Sequence, residues 1–191
     1  GENPSPSLLA EGMAMWRAVV KDLLAIPDVM LDTVVDCRWH HLAPASLRLH
    51  CWNVTDAVEA IACWESSLED ADASWIIAPE CDGLLERLVT TATTRTVSWN
   101  ADPTAIRLCT DKLALARHLL HHEIATIPTD DEPWQAPPDC DHGSFIVKPR
   151  DGAGSHLVRR VDCLADWQTA RTEFIPAAES PRAIRQPYIA G

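Results

Sequence analysis

The stretch FIVKPRDGAGS, residues 145–155, sets a lysine at the end of an apolar run and two glycines shortly after it. Glycine admits positive φ and leaves backbone N–H groups uncovered, so Gly152, Ala153, Gly154 and Ser155 can form a loop whose amides cradle a phosphate. Lys148 follows Phe-Ile-Val directly, which predicts a strand position with its ammonium facing a cleft. An unpaired lysine buried there would be costly, whereas a charge-assisted bond to phosphate contributes on the order of 1.5–3 kcal/mol. Arg150, Arg159 and Arg160 complete a group of four cations around the glycines, concentrated where one small polyanion would lie. The same segment also reads as a hairpin whose glycines serve geometry alone, residues 145–149 and 156–161 being its strands. It is neither a Walker A loop nor a dinucleotide fingerprint, because Leu157 stands where the latter needs its third glycine.

The rest of the chain is acidic. With 28 Asp and Glu against 16 Lys and Arg, its net charge of -12 repels phosphate backbones, which argues against nucleic acid as a partner. A composition 47% hydrophobic and 23% charged is that of a folded globular protein. The most apolar N-terminal segment carries Glu11, Arg17, Lys21 and Asp22 inside it, so it fits neither a signal peptide nor a membrane span. The 7 cysteines are an odd number without a CxxC pair, which predicts a reducing, cytoplasmic setting. Gly1 reads as a tag remnant.

Elements must position these groups. Leu8, Met15, Val19, Leu23 and Ile26 predict an amphipathic helix over residues 7–26, capped by Ser7 and closed by Pro27. Residues 29–36, 47–54, 73–80 and 94–99 are strand-like, and helices fall between them: one from a Thr55 cap to about Leu68, another over residues 82–92. Such alternation argues for a doubly wound, mostly parallel α/β sheet with functional loops at the carboxyl ends of its strands. Asp102 and Pro103 start a helix over residues 104–109, and Thr110 caps the next one, DKLALARHLLHHE. Four prolines among acidic residues in 128–143 mark a loop or subdomain junction, with 129–132 read as solvated loop in preference to a metal site. Beyond it come the hairpin, a helix over residues 163–174 and a final strand, AIRQPYIAG. This second part reads as a small α+β subdomain.

Other clusters compete for a role. Cys37, His40, His41, His50 and Cys51 include zinc-type ligands, but adjacent strand residues such as His50 and Cys51 face opposite ways. His118, His121 and His122 fall on the helix that carries Lys112, where the polar side is favoured over metal ligation as their role. Trp16, Trp52, Trp64 and Trp75 lie inside predicted elements and are expected in the core. Glu80 and Asp82 admit two readings: lining a substrate cleft that receives an amine, or Asp82 capping a helix with Glu80 in solvent.

In order and spacing, TDKLALARHLL (110–120), FIVKPRDGAGS (145–155) and RQPYIAG (185–191) resemble the ATP-grasp superfamily over about half the chain. LLAEGMAMWRAVVKDL and APECDGLLERL also look like the branch containing tyramine-glutamate ligase. The resemblance implies a pre-ATP-grasp domain over residues 1–103 and an incomplete ATP-grasp domain over 104–191. It implies that Lys112 and Lys148 contact ATP phosphates, that residues 152–155 close over them as a lid, and that Gln186, Tyr188 and Ile189 meet adenine. Gln186 stands where glutamate is common, though an amide oxygen can accept the same bond. The implied parent reaction transfers the ATP γ-phosphoryl group to a carboxylate, and an amine attacks the resulting acylphosphate, with Mg2+ bridging the phosphates. The family's magnesium-binding carboxylates and catalytic arginine follow the adenine strand, so they are expected outside this chain, which alone should be inactive. The alternative is a non-catalytic α/β interaction or scaffold domain.

Overall fold

The computed structural model describes residues 6–131, 133–134, 143–152, 157–174 and 183–190. It divides into two compact units, one of residues 1–77 and 91–99, the other of residues 78–90 and 100–191.

The first unit opens with helix α1 (Pro6–Leu24), so Ser7 lies inside the first turn rather than capping it. A proline suits that first position because its missing N–H would have had no helical partner. Arg48 receives the far end of α1: its guanidinium donates to the carbonyls of Leu24 at 2.5 Å and Ile26 at 2.8 Å. Trp16 lies partly buried, its indole N–H donating to Thr33 Oγ1 at 3.0 Å.

Strands β1 (Leu31–Asp36) and β2 (Leu49–Val54) pair in parallel, Leu31 opposite Leu49. Helix α2 (Ala57–Ser67) follows. Its cap is Asp56, which accepts from the amides of Val58 and Glu59 at 2.9 Å, and not Thr55. Thr55 instead donates its amide and hydroxyl to Glu59 Oε2, so the acid one turn on closes the box from the other side.

The run 73–80 pairs over only β3 (Ala73–Ser74), against β4 (Val97–Ser98), again in parallel. The described strands of this unit therefore form two separate two-stranded parallel sheets, not one continuous sheet. Trp75 and Trp99 stand 51% and 57% exposed, so Trp75 is no core residue. Trp52 and Trp64 are partly buried. The core of this unit is aliphatic, from Val20, Val35, Val54, Leu68 and Ile76.

His50 lies opposite Asp32 in the β1–β2 register, and its Nδ1 is 2.7 Å from Asp32 Oδ1. Burial pushes the neighbouring Cys51 thiol above its ordinary value, which makes it a poorer metal ligand.

Helix α3 ends at Thr93 and starts among the second unit's residues at Leu84, later than residue 82, because Asp82 adopts φ 55° inside a short turn over Cys81–Gly83. Helix α4 (Pro103–Thr110) is capped as expected by Asp102, which accepts from Thr104 N at 2.8 Å. Helix α5 (Lys112–His121) is capped by Asp111, which accepts from Leu113 N at 3.1 Å and Ala114 N at 3.0 Å, rather than by Thr110.

At its other end α5 closes with Glu123 N donating to Leu120 O and Ile124 N to Leu119 O, a Schellman arrangement. Glu123 occupies the left-handed position at φ 58°, where glycine is favoured. Replacing Glu123 by glycine is therefore expected to stabilise the chain by about 1 kcal/mol, measured by urea denaturation.

Three antiparallel strands, β5 (Phe145–Pro149), β6 (Arg159–Val161) and β7 (Ala183–Pro187), lie in the order β6-β5-β7. Strand β6 is shorter than the 156–161 expectation, since Leu157 turns at φ 53°. Helix α6 (Leu164–Phe174) supplies Trp167, Ala170 and Phe174 to a core with Phe145, Val147 and Val161. The Trp167 indole donates to Pro133 O at 3.2 Å, satisfying a buried donor.

Candidate functional site

Strand β5 has two faces. Phe145 and Val147 enter the core, so the alternation that puts them inward sends Ile146 and Lys148 to the other side. In register, Ile146 faces Gln186 and Lys148 faces Ile184. Lys148 and Gln186 thus share the sheet face away from the aromatic core, as diagonal neighbours.

The turn after β5 is tied to the start of α5. Lys112 N donates to Arg150 O at 3.0 Å, and the Lys112 ammonium to Gly152 O at 2.7 Å. Arg150 grips Asp111 with two bonds, Nε to Oδ1 at 2.6 Å and a terminal nitrogen to Oδ2. That guanidinium holds the Asp111 carboxyl below its ordinary value. Gly152 takes φ 79°, and a Cβ there would meet open space, so conformation rather than crowding calls for glycine. Ala153, Gly154 and Ser155 lie outside the described residues.

Of the four cations around the glycines, three are neutralised. Arg150 pairs with Asp111, Arg159 with Glu173 at 2.5 Å, and Arg160 with Asp162 at 2.8 Å. The expectation that all four gather for one anion is corrected by these pairs. Lys148 differs: among the described residues its ammonium makes no hydrogen bond or ion pair. Burial lowers its pKa, and the charge of Lys112 lowers it further. Burial also lowers Lys112, while Asp151, Glu80 and Asp111 pull it back up. The two ammonium groups therefore lie within each other's field, and among the described residues one of them has no counter-charge paired with it.

An open cleft of about 140 Å³ beside this turn is lined by Glu80, Glu86, Arg107, Asp111, Arg150 and Asp151, among others. Arg107 is held by Glu86 at 2.5 Å, so the cleft's two cations are both paired and its remaining carboxylates give it a negative lining. Glu80 reaches this cleft and Asp82 does not line it; the Asp82 carbonyl accepts from Arg87 at 2.7 Å. Sequence reasoning missed the pairing of Asp111 with Arg150, whose only local signal is the aspartate heading the helix.

At the end of β7, Gln186 donates its amide to Thr129 Oγ1 at 2.8 Å, and its side-chain oxygen accepts no bond among the described residues. The Tyr188 amide already donates to Ser144 O at 2.9 Å, which leaves the exposed Ile189 to present backbone at this edge. The Arg160 guanidinium stacks 4.1 Å from the centre of the Tyr188 ring. Among the described residues no three His, Cys, Asp or Glu side chains are arranged to hold a metal. Nor is any described helix long and apolar enough to cross a membrane.

Comparison with known proteins agrees with this architecture. The pre ATP-grasp 3 domain family matches residues 29–106. A structure of an Archaeoglobus fulgidus protein assigned to the ATP-grasp superfamily superposes with TM-score 0.68 and 25% identity, covering 100% of this chain and 50% of that one. The D-alanine-D-alanine ligase of Coxiella burnetii matches with TM-score 0.52 and 18% identity, over 64% of this chain and 39% of its own. The biotin carboxylase domain of Hydrogenobacter thermophilus 2-oxoglutarate carboxylase, solved with MgADP and bicarbonate, gives TM-score 0.57 and 13% identity, over 84% and 39%. The chain thus spans half the length of the Archaeoglobus protein or less of the others. No curated protein sequence matches it. Parallel strands in the first unit, an antiparallel sheet with its helix in the second, and these matches together relate the chain to the ATP-grasp superfamily, whose ligases and carboxylases it resembles over part of their length.

Proposed function

We propose that residues 104–191 are the nucleotide-gripping part of an ATP-dependent carboxylate-amine ligase, with residues 1–103 as its pre-ATP-grasp domain. The observation that carries this reading is Lys148, a half-buried ammonium with no partner among the described residues, beside Lys112 and a glycine turn. Placing two like charges together in a partly desolvated site is unfavourable unless an anion joins them. A triphosphate does so. Lys148 would hold a phosphate oxygen, Lys112 would exchange its bond to Gly152 O for another, and the backbone amides of the turn would complete the cradle.

Gln186 and Ile189 would meet adenine, the amide oxygen of Gln186 accepting from the exocyclic amine and the backbone at Ile189 bonding the ring. The negatively lined cleft at Glu80 suits a substrate amine. ATP supplies a phosphoryl group that activates a carboxylate as an acylphosphate for attack by that amine. Likeness to a D-alanine-D-alanine ligase supports joining of this kind, and the branch of tyramine-glutamate ligase is the finer assignment we favour. The part this reading gives to the chain's own residues is grip and orientation of the nucleotide.

Calorimetric titration of the chain with ATP and magnesium tests the reading. Saturable binding below millimolar nucleotide is expected. No heat at millimolar ATP, here and in a chain extended past Gly191, would overturn it.

A further inference from the structure

The last turn of α5 carries three histidines that the nucleotide reading leaves without a task. His118 and His122 sit four residues apart; His122 is the cap residue just past α5, and its N still donates to His118 O at 3.2 Å, which keeps the one-turn spacing across the pair. Residues at that spacing stand one above the other on one helix face. All three histidines are exposed. The His118 and His122 ring centroids are 4.5 Å apart with an interplanar angle of 57°, too tilted for parallel stacking.

That separation has a coordination meaning. A metal-imidazole bond of about 2.0–2.1 Å puts each ring centre about 3.2 Å from the ion. Two such rings at a right angle about one ion stand about 4.5 Å apart, and at a tetrahedral angle about 5.2 Å. The observed 4.5 Å fits the right angle. We propose that His118 and His122 form a two-imidazole chelate for a late transition-metal ion of tetragonal or octahedral preference, Ni2+ or Cu2+, with water in the other positions.

Three further features favour this site. The Schellman closure through Glu123 and Ile124 fixes the backbone of the turn before any ion arrives, which lowers the ordering cost of chelation. The net charge of -12 attracts cations. His121 is not the second donor: as the residue next to His122 it projects about 100° further round the helix. A pair, not a three-ligand cage, also agrees with the finding that no described trio is arranged to hold a metal.

Ni2+ titrated alone into the full chain should show one submillimolar site. His118→Ala and His122→Ala should each weaken it about tenfold or more, and His121→Ala less than twofold. The cysteines are common to all variants, so thiol binding cancels in the comparison, and circular dichroism reports whether the helix survives each change. Unchanged affinity in the His118→Ala/His122→Ala double variant would overturn the proposal. So would an equal loss in His121→Ala, or no Ni2+ binding at millimolar ion.

Discussion

Replacing Lys148 by methionine or alanine is expected to weaken ATP binding on the order of 10- to 100-fold, the loss of a charge-assisted bond of roughly 1.5–3 kcal/mol. The folded protein without nucleotide should not suffer. Burial and the charge of Lys112 hold the Lys148 pKa below the ordinary lysine value of 10.5, so charging this group is harder in the folded chain than in the unfolded one. That penalty is fully present below the lowered folded value and fades as pH rises from there toward 10.5. At neutral pH the methionine variant, which keeps the apolar stem, should therefore melt at the wild-type temperature or above it. Alanine gives up stem packing and sets the lower bound. Calorimetry with ATP and a thermal melt without it read the two halves separately. Equal ATP affinity in both variants would remove the role given to Lys148, and a large drop in melting temperature for methionine would make the residue structural.

The second large effect falls on Asp111. Its carboxylate accepts from two helix amides and from Arg150, whose side chain is only 21% exposed. Loss of the cap costs about 0.5–2 kcal/mol. Leaving Arg150 without its carboxylate adds about 1–3 kcal/mol. Asp111→Ala is thus expected to destabilise the chain by about 2–4 kcal/mol in urea denaturation, with Asp111→Asn roughly midway because an amide oxygen still caps. Acid gives an independent check. Arg150 first, then the amides of Ala114 and Leu113, hold the Asp111 pKa below its ordinary 3.8, so its contribution is complete above that value and is lost as pH falls through the lowered one. The gap between wild type and Asp111→Ala should accordingly narrow below about pH 3.8 and be constant between pH 5 and 8. A gap independent of pH would show that the ion pair contributes nothing.

Much of this was legible in the chain. Hydrophobic period and cap residues located α1, α2, α4 and α5 to within a few residues, and the FIVKP run located β5. Two of the three errors of capping fell on the dipeptide Thr-Asp, at Thr55-Asp56 and Thr110-Asp111, where two competent residues adjoin. Aspartate prevailed because one carboxylate reaches two amides at once. The run ASWIIAPE was read too long because apolar composition reports burial, and only Ala73 and Ser74 find a strand partner. The fate of the arginines could not be read at all. Asp111 lies 39 residues from Arg150 and Glu173 lies 14 from Arg159, distances over which only the folded topology says who meets whom.

Strand β5 stores one further consequence. Its inward Val147 and outward Lys148 are neighbours in sequence, so inserting or deleting a single codon ahead of them would exchange their faces, driving an ammonium among Trp167 and Phe174 and a valine into the place proposed for the anion. For this gene, small frame-preserving length changes at the strand are expected to abolish folding and the proposed ligand capture in one stroke. Only point substitutions can take the two apart.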